Sequence, residues 1–135
     1  MKKYLDPIFK ALLTLLMISP ILGTLGIFPA PTRDLYNSDL AFDFISALMS
    51  AKYIMIIMAI CFVVAIILFW TRRSAAAALL ILPFTVNIVA FHLFLDGGLF
   101  TAGAIMGNLF ILLNIYFLWQ NRGVYKQLAM PQPKQ

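Results

Sequence analysis

Charge is scarce in this chain. Of its 135 residues, 11% are Asp, Glu, Lys or Arg and 63% are hydrophobic. Soluble domains carry roughly a quarter charged residues. A water-soluble protein this short lacks the interior to hide so much apolar surface. There is one cysteine, Cys61, so no internal disulfide forms. It stands within an apolar run and reads as a small apolar side chain, because a reactive thiol needs a wet, electropositive setting. There is one histidine, His92. That excludes a bis-histidine haem. One His and one Cys also fall short of the three or four protein ligands of a metal site. No serine stands at an obvious spacing from His92 to build a nucleophile and base pair. No charged residue lies well inside an apolar run, so a relay of buried carboxylates is missing too. These gaps argue against a free-standing enzyme or an ion-coupled pump.

What the chain has is four long apolar runs: about Ile8–Phe28, Tyr53–Trp70, Ser74–Leu95 and Leu99–Trp119. A hydrocarbon core about 30 Å thick needs about 20 apolar residues in a helix to cross it, and each run approaches that length. The expected fold is all-α: an integral membrane four-helix bundle forming a single membrane domain over residues 1–135. Too few residues lie outside the runs for a sizeable domain in water. Two lysines followed by an apolar run also suggest a secretory signal peptide. The run exceeds the usual apolar core of about 7–15 residues, so a retained first span is expected.

The net charge of +5 does not form a nucleic-acid patch. Lys2, Lys3, Lys10, Arg72, Arg73, Arg122, Lys126 and Lys134 fall on one side of the four spans, and Arg33 and Lys52 on the other, which is eight against two. Lysine and arginine favour the cytoplasmic face. Both termini are expected there.

Pro20 in the first span leaves the Leu16 carbonyl without its usual donor and should bend the helix. Ser19 is placed to fill part of that gap, and Gly23 and Gly26 would let another helix approach. Pro29 and Pro31 stop the helix, and Ser38 or Asp39 suits an N-cap. From Leu40 to Trp70 the chain stays mostly apolar. One helix of that length would run roughly 45 Å, too long for one crossing. The expectation is a short amphipathic helix over about 40–50 on the outer interface before the span, with one tilted helix and a projecting end as the alternative. The interfacial helix places Leu40, Phe44, Ile45, Leu48 and Met49 toward lipid or the bundle and Asp43, Ser46 and Ser50 toward water. The short break Thr71–Ser74 makes the second and third spans antiparallel neighbours. Ala75–Ala78 offers a small face for close packing, and Pro83 should kink the third span. Asp96-Gly97-Gly98 is a turn sequence. Trp70 and Trp119 mark span ends. The tail from Gln120 is polar, and Pro131 and Pro133 predict a disordered end.

Polar groups inside a bilayer are costly, and each is a candidate for function. Asn87 lies in the third span, Asn108 and Asn114 in the fourth. Asn87 and Asn108 stand ten or eleven residues either side of the turn, so a regular hairpin would set them at one depth, roughly 15 Å below it. They read either as an interhelical amide bond, with Gly103 and Gly107 aiding close packing, or as a polar ligand site. His92 precedes Asp96 by four residues, on one helical face. It reads either as a histidine paired with Asp96 or as one wall of a pocket mouth shared with Asp43, Asp96 and Lys52. There it would bond a quinone carbonyl or carry a proton.

The stretch Pro83–Gly98, PFTVNIVAFHLFLDGG, resembles the third-span signature of DoxX-like membrane proteins, in which Pro, Asn, Phe-His and Leu-Asp recur in this order. The four-span plan, the exit Gly26-Ile27-Phe28-Pro29 and the segment Ala47, Ser50, Tyr53 agree more loosely. The resemblance implies a four-helix bundle in a bacterial inner membrane. It implies relatives that serve quinone-reducing thiosulfate oxidation or assemble with soluble redox proteins. Relatives often carry a carboxylate in the middle of the second span; here Ala59, Ile60, Cys61 and Phe62 stand there. The expectation is therefore a non-catalytic subunit that binds a hydrophobic ligand, quinone or lipid, or braces a larger membrane complex. The alternative is a quinone-linked oxidoreductase subunit with His92 and Asn87 on the headgroup, and a small-solute transporter comes third. The expected ligand-binding residues are Asn87, His92, Asn108, Asp96 and Lys52. The expected partners are the lipid bilayer and a membrane protein or second copy, with quinone as the candidate cofactor.

Overall fold

The computed structural model describes residues 2–131, with side chains from Tyr4 onward. Lys134 and Pro133, used above for charge and tail disorder, lie outside the described residues, as do the side chains of Lys2 and Lys3. Six α-helices run in the order α1 (Lys2–Thr24), α2 (Asp39–Ala51), α3 (Tyr53–Trp70), α4 (Ser74–Phe94), α5 (Ala104–Gln120) and α6 (Arg122–Leu128). Among the described residues there is no strand. Three helices, α1, α3 and α4, are long and apolar enough to cross a membrane, and α5 is a shorter apolar helix. Their outward faces are apolar too. Ile56, Ile57, Ile60, Val63 and Ile67 of α3 are all exposed. A helix apolar on every side sits either in a protein core or in lipid. Here the apolar surface faces outward, which is the pattern of a membrane protein.

The first helix ends four residues short of the expected Phe28. Gly26 adopts φ +74°. The Ile27 N–H donates to the Leu22 carbonyl at 3.1 Å and the Gly26 N–H to the Gly23 carbonyl at 3.0 Å. This pair of bonds is a Schellman ending, which needs a left-handed residue at the glycine position. Gly26 therefore stops the helix rather than admitting a neighbour, and a Cβ there would meet nothing within 4 Å.

The long apolar stretch divides as the two-helix reading expects. Lys52, with φ 58° and ψ −43°, separates α2 from α3. Ser38 is the N-cap of α2, its hydroxyl accepting from the Ala41 N–H at 3.0 Å. The fourth run departs from expectation, since Leu99–Gly103 forms turns and α5 begins only at Ala104. Thr101 Oγ1 accepts from the Ala104 N–H at 3.3 Å, occupying one of the donors a helix start leaves free. The polar tail also holds more structure than expected. α6 docks back on α4 through the Tyr125 hydroxyl, which donates to the Ala75 carbonyl at 2.9 Å.

α3 packs on α1 and α4, α4 packs on α5, and α1 meets α5 more sparsely. The core holds Leu13 and Met17 of α1, Phe62 and Phe69 of α3, Ala77, Ala78 and Ile81 of α4, and Phe110 and Phe117 of α5. Ala77 and Ala78 are fully buried, so the alanine block does serve close packing. The α1–α5 seam is closed at the end that carries the termini. There the Tyr116 hydroxyl and the Gln120 amide donate to the two oxygens of Asp6 at 2.6 and 2.7 Å, and Phe9 meets the Tyr116 ring edge-on. Toward the opposite end the seam opens.

Candidate functional site

That opening is a cavity of about 520 Å³. α1 supplies Leu15, Leu16, Ser19 and Pro20, α4 supplies Ile88 and His92, the turn before α5 supplies Gly103, and α5 supplies Met106, Gly107 and Phe110. Its volume falls within the range typical of small-molecule sites, about 300–1,000 Å³. Local sequence explains the space. Gly103, the residue that caps α5, and Gly107 in its first turn lie about one helical turn apart, and His92 lies across both. A Cβ on Gly103 would stand 3.4 Å from His92 Cε1, and one on Gly107 would stand 3.4 Å from His92 Cδ2 and 2.8 Å from Ile88 Cγ2. No larger residue fits at Gly107 while Ile88 and His92 keep their places.

His92 is held from behind. Its Nδ1 lies 3.0 Å from Asp96 Oδ2, the i,i+4 pairing foreseen from the spacing. Asp96 is 2% exposed. Burying a carboxylate is costly unless it is paired and hydrogen-bonded, and the loop before α2 supplies what it needs. The Asn37 backbone N–H donates to Asp96 Oδ1 at 2.8 Å, and the Asn37 amide donates to the Asp96 carbonyl at 3.0 Å. The Ser38 hydroxyl donates to the Leu95 carbonyl. A segment almost sixty residues away in sequence is thus tied across the end of α4. Tyr36 packs edge-on to Phe91 in the same strap. Burial, and then the nearby charge of Asp96, push the Tyr36 phenol above its ordinary value.

The other expected site residues are dispersed. Asn87 is exposed and lines a shallow groove with Phe44, Phe91 and Phe94. Five residues separate it from His92, which is about 140° around a helix, so the two face different walls. Asn108 does not bond Asn87. Its amide donates to the Leu99 carbonyl at 2.7 Å. The equal-depth argument assumed a fourth helix starting at Leu99. With α5 starting at Ala104, Asn108 lies only one turn inside it and holds the turn instead. The interhelical amide bond is made elsewhere, where Asn114 Nδ2 donates to Thr85 Oγ1 at 3.0 Å with both side chains fully buried. Lys52 sits at the α2–α3 corner in a separate groove with Gly23, Thr24, Met49 and Met55, and Asp43 is exposed on α2.

Sequence reasoning missed Asn37 and Thr85 as parts of polar sites, whereas Ser19, expected beside the Leu16 carbonyl, lines the cavity with it. Ser38 carried a signal as a cap, but its bond to Leu95 had none. Asn37 stands in a polar loop with nothing local to mark it. Compared with models of known protein families, with curated proteins and with solved structures, the chain matches none.

Proposed function

We propose that the chain is a non-catalytic, DoxX-like four-helix membrane subunit that holds a hydrophobic ligand, quinone or lipid, in the cavity beside His92. In this reading α5 makes the fourth crossing, and the inner membrane holds the protein with both termini in the cytoplasm. One observation carries the ligand reading: a largely apolar cavity between α1, α4 and α5 has few polar groups on its wall, the His92 ring edge and the Ser19 side chain among them. Ligand sites generally have this composition, an apolar lining with a few placed polar groups. An oxidoreductase site with Asn87 and His92 on one headgroup draws no support from their positions on different walls.

Gentle extraction followed by native mass spectrometry tests the proposal. The wild-type protein should retain a quinone or lipid, and Met106→Trp, which fills the cavity from α5, should release it. If the wild-type protein carries no amphiphile but comes away with a stoichiometric protein partner, the ligand reading is wrong and the bracing role stands in its place.

A further inference from the structure

We propose that the cavity selects an amphiphile whose headgroup donates a hydrogen bond, a hydroxyl on an apolar tail, and that Asp96 sets this preference by fixing the tautomer of His92. This rests on the cavity being a ligand site. As a carboxylate, Asp96 only accepts, and its Oδ1 is already engaged by the Asn37 N–H. Nδ1 of His92, 3.0 Å from Oδ2, therefore carries the proton. A neutral imidazole with its proton on Nδ1 presents a bare lone pair at Nε2. Among the described residues none bonds Nε2, and the ring edge bearing it lies against Gly107 on the cavity wall.

The facing helix offers the same polarity. Pro20 has no N–H, so the Leu16 carbonyl lacks its i+4 donor, and both residues line the cavity. Ser19, beside them, has no hydrogen bond to another described residue and can adapt as donor or acceptor. Among the described residues the bare Nε2 of His92 has no donor facing it. A ketone or ester headgroup would bring only further acceptors to it, whereas a hydroxyl would donate to it.

The test uses the full chain in phosphatidylcholine nanodiscs, with decyl-hydroquinone and decyl-quinone as probes, under anaerobic conditions at about pH 8.5, above the range in which imidazoles usually charge. Wild type should bind the hydroquinone at least about tenfold more tightly. In Asp96→Asn the carboxamide oxygen can still accept from Asn37, while its N–H donates to Nδ1 and moves the imidazole proton to Nε2. That variant should lose the preference or reverse it toward the quinone, which a merely structural role for Asp96 would not do. His92→Phe keeps a ring in place without the lone pair and should bind both probes alike. Equal binding of the two probes by wild type, or an unchanged preference in a folded Asp96→Asn or His92→Phe protein, would overturn the tautomer mechanism alone. If neither probe binds wild type, the ligand reading above falls with it.

Discussion

Thr85 and Asn114 show how a single polar contact is handled in an apolar core. The Thr85 hydroxyl donates to the Leu82 carbonyl at 3.0 Å and accepts from the Asn114 amide. Asn114 Oδ1 is buried with no partner. An orphaned buried acceptor costs about 1–3 kcal/mol, whereas replacing both partners of a bond by apolar groups of similar shape is nearly neutral. Interhelical bonds in membranes contribute about 0.6 kcal/mol on average. Thr85→Val should therefore destabilise by about 1 kcal/mol, because it strips Asn114 of its one partner. Adding Asn114→Leu should restore the loss. Unfolding curves in detergent decide the matter, and a double variant less stable than Thr85→Val would refute this account of the pair.

The helices owe their limits to local chemistry, with two corners, at Lys52 and Arg72, held at positive φ. α2 and α3 meet at Lys52, whose positive φ is one that L side chains rarely adopt. Such residues cost of the order of 1–3 kcal/mol each. Glycine adopts positive φ without a Cβ clash but loses more entropy on folding. Lys52→Gly should thus raise the midpoint of thermal unfolding by a few degrees. A lower midpoint would mean that the lysine stem contributes more at the Met49–Met55 groove than its backbone costs. The same corner turns α2 across the loop end, where Ser38 and Asn37 reach the end of α4.

Across the molecule, the basic charge is concentrated at the end opposite the cavity. Arg72, Arg73 and Arg122 stand at the end closed by Asp6, Tyr116 and Gln120, and the cavity opens toward the end strapped by Asn37. If loop charge orients the chain, the cavity belongs to the outer leaflet. Single cysteines placed at the exposed positions Asp34, Arg73 and Lys126, in a Cys61→Ser background, should divide cleanly. A membrane-impermeant maleimide added to intact cells should label position 34 only. Labelling of 73 or 126 under those conditions would invert the topology.

The apolar runs were legible because hydrophobic burial is additive along a chain and needs no partner to be counted. The Lys52 division and the Ser38 cap were legible for a similar reason, since helix length and capping are local. The His92–Asp96 pair followed from i,i+4 spacing alone. Residue order could not reveal that Asn37 would satisfy Asp96, that Asn114 would find Thr85 rather than Asn87 finding Asn108, or that α1 and α5 would part beside His92. Those outcomes depend on where each helix begins and on how closely two faces approach. One late helix start, at Ala104, shifted the depth of every residue after it. Composition and periodicity decided that this chain folds as apolar helices. Only the packing of those helices decided which polar atoms were satisfied and which were left facing a cavity.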